Sequence, residues 1–368
     1  MSDSALIFLS CGGTGGHMTP AQALANDLMS RGFKVEVITD SRGLKFQEIF
    51  KNIPMNVVRS GTVASGVLGK VQGLANLALG IVQAVRIIRA RKPAMVVGFG
   101  GYPSVPGVMA AQILGIPTII HEQNAVIGRA NAFLAGKATR IALSLPEVQG
   151  LDEAERQRCV FTGNPVRPEI SALYSLPYPH ADENGPLRIF IMGGSLGASV
   201  FSQIVPKALG ALSADHRGRL KIVQQCREGD LAATQKAYEE SGIQAELATF
   251  FNNVSEQLAQ AHLVIARSGA STVAEVATAG RPAIFVPYPH HKDQQQKMNA
   301  DAIADVGGAW VMTESGFTVD ALRARIETFL QSPGVLFSAA EKARSCGRPD
   351  AARKLGNLVT ALVSGWNE

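Results

Sequence analysis

Two short glycine runs constrain the fold of this chain more than any other feature. Cys11–His17 reads CGGTGGH and follows an apolar run, Ala5–Ser10; Gly193–Ala198 reads GGSLGA and follows a second apolar run, Leu187–Met192. Each leads into a helical pattern and then a further strand, Lys34–Thr39 in the first half and Leu220–Gln224 in the second. Strand, tight turn, helix and strand make a βαβ unit, in which the helix carries the chain back so that the strands run parallel. One such opening in each half argues for two similar domains, not one long sheet. The length of 368 residues agrees, because a single core stops growing near 250–300. The expected class is α/β, with parallel sheets covered by helices on both faces.

Further strands are expected at Ala94–Gly98, followed by Phe99-Gly100-Gly101-Tyr102-Pro103-Ser104, and at Pro117–Ile120, which runs into His121-Glu122-Gln123-Asn124. Gly163–Pro186 carries Pro165, Pro168, Pro177, Pro179 and Pro186 and reads as an extended linker. Domain boundaries are placed at 1–163 and 164–345, with residues 346–368 as a final helical segment. Between 60 and 92, five glycines from Gly61 to Gly80 favour a loop plus a helix over one rigid helix. At helical spacing Val67, Val71, Leu74, Ala78, Ile81, Val85 and Ile88 form one stripe, and Arg86, Arg89, Arg91 and Lys92 cluster at its end. The stripe is either core or a membrane-docking face.

Ile265–Ala300 gathers polar residues where strands end and helices begin, the edge at which open α/β sheets bind ligands. Arg267-Ser268-Gly269 precedes a helix expected from Ser271 or Thr272, with Glu275 in its first turn. After Ala283–Val286 comes a Pro, His and Lys loop and a helix start at Asp293. A helix N-terminus, a carboxylate and Gln side chains suit a ligand made of phosphate and hydroxyls. The GGSLGA turn offers N–H groups to a phosphate or diphosphate, with Ser195 as a hydroxyl donor. In the first turn, Thr14, Gly15 and Gly16 either face an anion or a close-packed ligand or serve only the turn. His17 is a capping or packing group or an acid–base catalyst, and His121 and Glu122 leave the same choice open.

Several classes are excluded or disfavoured. Gly13-x-Gly15 places Met18 at the third glycine of a dinucleotide fingerprint, and the ribose-binding acid has only Glu36 or Asp40 as candidates. No G-x-x-x-x-G-K-[ST] occurs. The excess of Lys+Arg 35 over Asp+Glu 30 is a modest +5, suited to an anionic ligand or surface but not a nucleic-acid footprint. Cys11, Cys159, Cys226 and Cys346 lie far apart, which fits a reducing compartment and offers neither a disulfide framework nor a zinc site. His290-His291 with Asp293 is a poor chelator, since consecutive histidines share one ion only with loop distortion. Asp3 occupies the place of a signal peptide's basic region, and no window approaches about 20 uninterrupted apolar residues.

CGGTGGH at 11–17, GFGGYPS at 98–104, HEQN at 121–124, TGNPVR at 162–167 and GGSLGA at 193–198 occur in this order. ARSGASTVAEVATAG at 266–280 and HKDQQQKMNA at 291–300 complete the series. Together, over residues 5–365, they resemble the MurG family of bacterial peptidoglycan glycosyltransferases. The resemblance implies two Rossmann-like domains facing across a cleft (the GT-B arrangement), with a final helix returning to the N-terminal domain. It implies transfer of N-acetylglucosamine from UDP-N-acetylglucosamine to undecaprenyl-diphosphate-linked N-acetylmuramoyl-pentapeptide, lipid I to lipid II. Glu275 then corresponds to the acid binding the ribose hydroxyls, and Phe251 to the place where a backbone group meets uracil. Ser195 and Arg167 match the diphosphate pair, Gln295 and Gln296 the readers of sugar hydroxyls, and Arg267 a basic position beside the donor. His17, Tyr102, His121 and Asn124 match positions facing the acceptor.

The same resemblance implies no tightly bound cofactor, no required divalent metal, and peripheral attachment to an anionic membrane surface on the cytoplasmic face of the inner membrane. It also implies transient contacts with other cell-wall synthesis proteins. Two local differences stand out: the 287–291 loop is one residue longer than expected and the Ser171–Pro186 segment is longer too. The leaving UDP needs charge stabilisation more than protonation. In the family that this chain resembles, the muramoyl C4 hydroxyl attacks and the displacement inverts α to β, which calls for a base, either His17 or a His121–Glu122 pair. A hydrolysing UDP-N-acetylglucosamine epimerase, another UDP-sugar transferase and a non-catalytic sugar-nucleotide binding module are the alternatives.

Overall fold

The structure, a computed structural model, describes residues 5–61, 67–179, 182–194, 198–290 and 293–365, the side chains of Val67 and Leu68 excepted. The chain forms two compact units, Met1–Arg167 with Asp350–Glu368, and Pro168–Pro349. The chain thus changes unit at Arg167/Pro168 and again at Pro349/Asp350, four residues beyond each expected boundary.

The N-terminal unit holds seven strands: β1 Leu6–Ser10, β2 Lys34–Thr39, β3 Met55–Val57, β4 Met95–Gly98, β5 Thr118–Glu122, β6 Arg140–Leu143 and β7 Cys159–Phe161. They pair in the order β3-β2-β1-β4-β5-β6-β7, and every pairing is parallel. Central strands are apolar throughout because both faces are covered. Ile7, Leu9, Met95, Val97 and Ile119 face the helix Gly15–Ser30 and the closing helix Ala351–Val363, while Phe8, Val96 and Ile120 face the opposite layer. Order reverses between β1 and β4, a switch point at which the glycine turn after β1 and the Phe99–Ser104 turn after β4 lie side by side.

The C-terminal unit repeats the plan with β8 Leu187–Met192, β9 Leu220–Gln225, β10 Gln244–Ala248, β11 Leu263–Ala266, β12 Ala283–Phe285 and β13 Ala309–Val311, in the order β10-β9-β8-β11-β12-β13. Its pairings are parallel as well, and its switch point lies between β8 and β11. Phe201, Phe317, Phe329 and Tyr238 fill the layer between sheet and helices. Each unit is thus a Rossmann-like domain built on a doubly wound parallel sheet.

Three expectations are corrected. Residues 163–186 are not an extended linker throughout: Thr162–Val166 are buried, Pro168–Ser171 is one α-helical turn and Ala172–Ser175 a 3-10 turn. Residues 67–91 are one 25-residue helix despite their glycines. A Cβ at Gly80 would stand 1.8 Å from the Arg59 carbonyl oxygen, and one at Gly61 2.8 Å from that of Gly73. Those glycines let the Arg59–Gly61 segment cross the helix at backbone contact, a steric need that for Gly80 outweighs a helix propensity cost of about 1 kcal/mol. The expected stripe is also split. Ala84 and Ile88 are buried with Gly80, whereas Val71 is 60% and Leu74 67% exposed, with Leu79 and Val82 exposed beside them. Over Gly69–Arg91 the helix is, by length and mean hydropathy, long and apolar enough to cross a membrane, although polar residues such as Gln72, Asn76 and Gln83 interrupt it. It packs against its own sheet through one side instead.

Candidate active site

In the N-terminal unit the strand ends bring together His17, Gly100, Gly101, His121, Glu122, Asn124 and Asn131. Thr14 is the N-cap of the helix Gly15–Ser30, in extended conformation, and its Oγ1 lies 3.1 Å from His17 Nδ1. Nδ1 shares a hydrogen bond with the Thr14 hydroxyl, which can give or take the proton, and Nε2 makes no hydrogen bond to the described residues. The ring is half-buried against the Gly100-Gly101 turn: Cβ atoms there would approach it to 3.5 and 3.3 Å, and both glycines have positive φ, 80° and 70°. Desolvation pulls the His17 imidazole down to about 4. Gly12 has a second use, because a Cβ there would meet Pro103 at 2.7 Å and Thr39 Oγ1 at 2.8 Å. The first glycine turn is therefore shaped partly by packing.

His121 and Glu122 are neighbours on β5, so their side chains leave opposite faces of the sheet. The expected pair, a histidine backed by the adjacent carboxylate, does not form. His121 is fully buried: Gln123 Nε2 donates to its Nδ1 at 3.0 Å, its Nε2 donates to the Gly163 carbonyl at 3.2 Å, and Phe99 packs 5.5 Å away between ring centroids. Burial lowers its imidazole to about 4, with the nearby His17 adding to the effect. With both nitrogens committed, it lacks the open atom a base needs. Glu122 accepts from the Gly128 N–H at 2.9 Å, the Asn124 N–H at 3.0 Å, Asn131 Nδ2 at 2.8 Å and Asn124 Nδ2 at 3.2 Å. Burial pushes its carboxyl up, against those four donors. Its visible work is to clasp the Asn124–Asn131 loop and so aim Asn124. Tyr102 is exposed in the 3-10 turn Tyr102–Ser104, which Ser10 Oγ anchors by donating to the Ser104 carbonyl at 2.9 Å.

In the C-terminal unit Glu275 lies on the helix Ala270–Thr278, which starts earlier than expected and puts this acid in the second turn, not the first. The residue is 9% exposed at the C-terminal edge of the sheet. Asn299, buried on the helix Gln295–Ala304, donates to the Ser268 carbonyl at 3.3 Å and so pins the two helix starts together. Gln296 Oε1 accepts the Tyr288 N–H at 3.0 Å, and Gln295 is half-buried beside it. Gln294 caps the start of that helix in the left-handed backbone region, with φ 48°. Phe251 packs its ring edge-on against Phe190, centroids 5.8 Å apart, while Phe250 is 69% exposed. Gly194 has φ 79° and open space around its missing Cβ, so the turn geometry alone demands glycine there. Ser195 lies outside the described residues. Arg167 is half-buried at the last position of the N-terminal unit.

Arg267 differs most from expectation. Its guanidinium donates to the Val286 and Pro287 carbonyls, both at 3.1 Å, and pairs with Glu314, a residue no motif singled out. Likewise Arg91, grouped by sequence with the exposed cations, pairs with buried Glu36, which Asn56 also contacts at 3.0 Å. That pair turns the one candidate nucleotide-binding acid inside the second strand into a structural group. Among the described residues no cluster of three or more His, Cys, Asp or Glu side chains could hold a metal ion. A groove lined by Arg188, Lys221, Val223, Gln244 and Glu246 runs along the strands of the C-terminal unit, away from the edge that carries Glu275.

Residues 7–143 match the glycosyltransferase family 28 N-terminal domain, and residues 188–355 match the family 28 C-terminal domain. The chain belongs to glycosyltransferase family 28. A family 28 protein of Rhodospirillum centenum is 50% identical over 361 residues, covering 98% of this chain and 95% of its own. One of Paramagnetospirillum magneticum is 47% identical over 359 residues, covering 97% of each. Both are UDP-N-acetylglucosamine–N-acetylmuramyl-(pentapeptide) pyrophosphoryl-undecaprenol N-acetylglucosamine transferases. Among solved structures, Acinetobacter baumannii MurG superposes with a TM-score of 0.78 at 31% identity, covering 97% of this chain and 99% of that one. This family 28 chain is thus a glycosyltransferase with a cell-wall enzyme's fold.

Proposed function

We infer that this enzyme transfers N-acetylglucosamine from UDP-N-acetylglucosamine to lipid I, the undecaprenyl-diphosphate-linked muramoyl-pentapeptide, giving lipid II. The observation that carries this reading is end-to-end identity of 50% with a transferase of that name, together with a carboxylate and glutamines at one strand edge of the C-terminal unit. Glu275 accepts both ribose hydroxyls, a pairing a carboxylate makes well, and the backbone at Phe251 meets the uracil. The GGSLGA turn with Ser195, and Arg167, stabilise the diphosphate as the glycosidic bond breaks. Gln295 and Gln296 read the sugar, and Thr14, Gly15 and Gly16 lie on the donor side of the N-terminal unit.

His17 removes the proton from the attacking C4 hydroxyl. Support comes from its uncommitted Nε2 and its Thr14 partner, against the doubly bonded nitrogens of His121. Tyr102 and Asn124 orient the acceptor, and His121 and Glu122 hold the loop that carries Asn124. The hydroxyl attacks C1 opposite UDP, so one displacement inverts the anomeric centre.

The acceptor's polyprenyl chain stays in the bilayer, so the enzyme comes to it. The exposed side of the helix Val67–Arg91 supplies a docking face: Val71, Leu74, Ala78 and Val82 run toward Arg86 and Arg89, all exposed. Attachment is peripheral, on the cytoplasmic face, and strengthened by anionic lipid. The deciding assay is transfer of radiolabelled N-acetylglucosamine from the UDP-sugar to a lipid I analogue. Label in the lipid product supports the reading. Release of free sugar or of an epimer, with no lipid product, overturns it.

A further inference from the structure

The donor side contains a connection that begins at Glu314, in the loop after β13. The Arg267 side chain is 12% exposed and lies between the rings of Phe201 and Tyr288, each centroid 5.6 Å from Cζ. Its Nη1 holds the two carbonyls that follow β12, Val286 and Pro287, and its Nη2 holds the Glu314 carboxylate. Tyr288, the next residue, donates its backbone N–H to Gln296 Oε1 at 3.0 Å. A backbone N–H can be met only by an acceptor, so the amide oxygen of Gln296 is engaged by the protein, while its Nε2 makes no hydrogen bond to the described residues.

Among the described residues, Glu314 is the one anion that Arg267 meets. A nearly buried guanidinium without a counter-charge is costly, and would seek another anion. The diphosphate of the donor is the nearest chemical candidate, and a guanidinium swinging to it would abandon the Val286 and Pro287 carbonyls and the face of Tyr288. We propose that Glu314 is a positioning residue for the donor sugar, acting through Arg267 and Tyr288 to hold Gln296 with its amide N–H groups toward the sugar hydroxyls. This rests on the donor reading given above. A group fixed as a donor requires the sugar oxygen to accept, which makes the site sensitive to the direction of that hydroxyl.

The test compares wild type, Glu314→Ala, Glu314→Gln, Gln296→Ala and the double variant Glu314→Ala/Gln296→Ala. Each is assayed for KM and kcat with UDP-N-acetylglucosamine and with its C4 epimer, UDP-N-acetylgalactosamine, and for UDP binding by calorimetry. Glu314→Ala should lower the preference for UDP-N-acetylglucosamine by about three- to tenfold, the worth of one hydrogen bond. UDP itself should bind within about twofold of wild type, which also shows that the domain is folded. Glu314→Gln, with one acceptor oxygen kept, should recover part of the preference. In the Gln296→Ala background, Glu314→Ala should change the preference little further, because the two act as one unit. Independent, multiplying losses overturn the proposal, as does a loss of UDP affinity equal to the loss for the UDP-sugar. If Gln296→Ala leaves the preference untouched, or wild type does not use UDP-N-acetylglucosamine, the donor reading itself falls and takes the proposal with it.

Discussion

His17 and His121 show how environment separates two side chains of one type. Both imidazoles are lowered to about 4, yet of the two only His17 has a nitrogen without a hydrogen bond to the described residues. His17→Ala should reduce kcat by about 10²–10⁴-fold, the usual contribution of a general base, with UDP affinity nearly unchanged in calorimetry. In the free enzyme the acidic limb of kcat/KM should fall near pH 4, not near an ordinary histidine's 6.5, because the base is lost only when protonated. A limb at 6.5, or full activity in His17→Ala, would move the role elsewhere. For fully buried His121 the linkage runs with the same sign. Between pH 6.5 and 4 the unfolded chain binds the proton that the native site refuses, so stability falls as pH falls through that window. By pH 4 the loss is about 3 kcal/mol for this one group. His121→Gln should show lower stability at pH 7 but a shallower decline toward pH 4 in denaturant titrations.

Among the elements, the helix Val67–Arg91 is the one to which the proposed membrane docking is assigned. Its inner side is fixed by Gly80, Ala84 and Ile88, and its outer side is apolar without a partner among the described residues. A scattering of exposed apolar side chains is ordinary, but a row ending in cations is the pattern of an interfacial helix. Arg86→Glu with Arg89→Glu should weaken cosedimentation with anionic vesicles by about 1 kcal/mol or more per residue, most at low salt, and leave neutral vesicles less affected. Leu74→Ser with Val82→Ser should weaken both, at little cost in thermal stability, since these side chains contribute little to the core. Arg91→Glu should behave differently: it breaks the pair with buried Glu36, so its main effect should be on stability. Equal binding to both vesicle types, unchanged by salt or by these substitutions, would remove the electrostatic part of the docking.

For the whole molecule, the chain returns to its first unit through the helix Ala351–Val363, which packs on Gly15–Ser30. Leu355 and Val359 enter the core, and Arg31 donates to Asn357 Oδ1 at 2.7 Å and to the Arg353 carbonyl at 3.0 Å. A Cβ at Gly356 would stand 1.9 Å from Asp27 Oδ2, within the Asp27–Arg31 pair. Gly356→Ala should therefore cost about 1–3 kcal/mol in denaturant unfolding, where an alanine at an open helix position would stabilise. The two-domain α/β plan, most central strands, the final helical segment and the polar residues where β11 and β12 give way to helices were all legible in the sequence. They depend on local signals, apolar runs of strand length and glycines where strands turn into helices, and these repeat in both halves. Short edge strands such as β3 and β7 were not legible, because three residues carry too little pattern. Side-chain partnerships were not legible either. Glu314 stands 47 residues from Arg267 and Arg91 55 from Glu36, and no periodicity links them. The sequence likewise determined that 67–91 is apolar and helical in spacing, but not which side the sheet would cover. That depended on where the Arg59–Gly61 segment crosses, and such contacts exist only after distant strands have paired. A short-range pattern sets which elements form; the closing of long loops decides which groups end within hydrogen-bond reach.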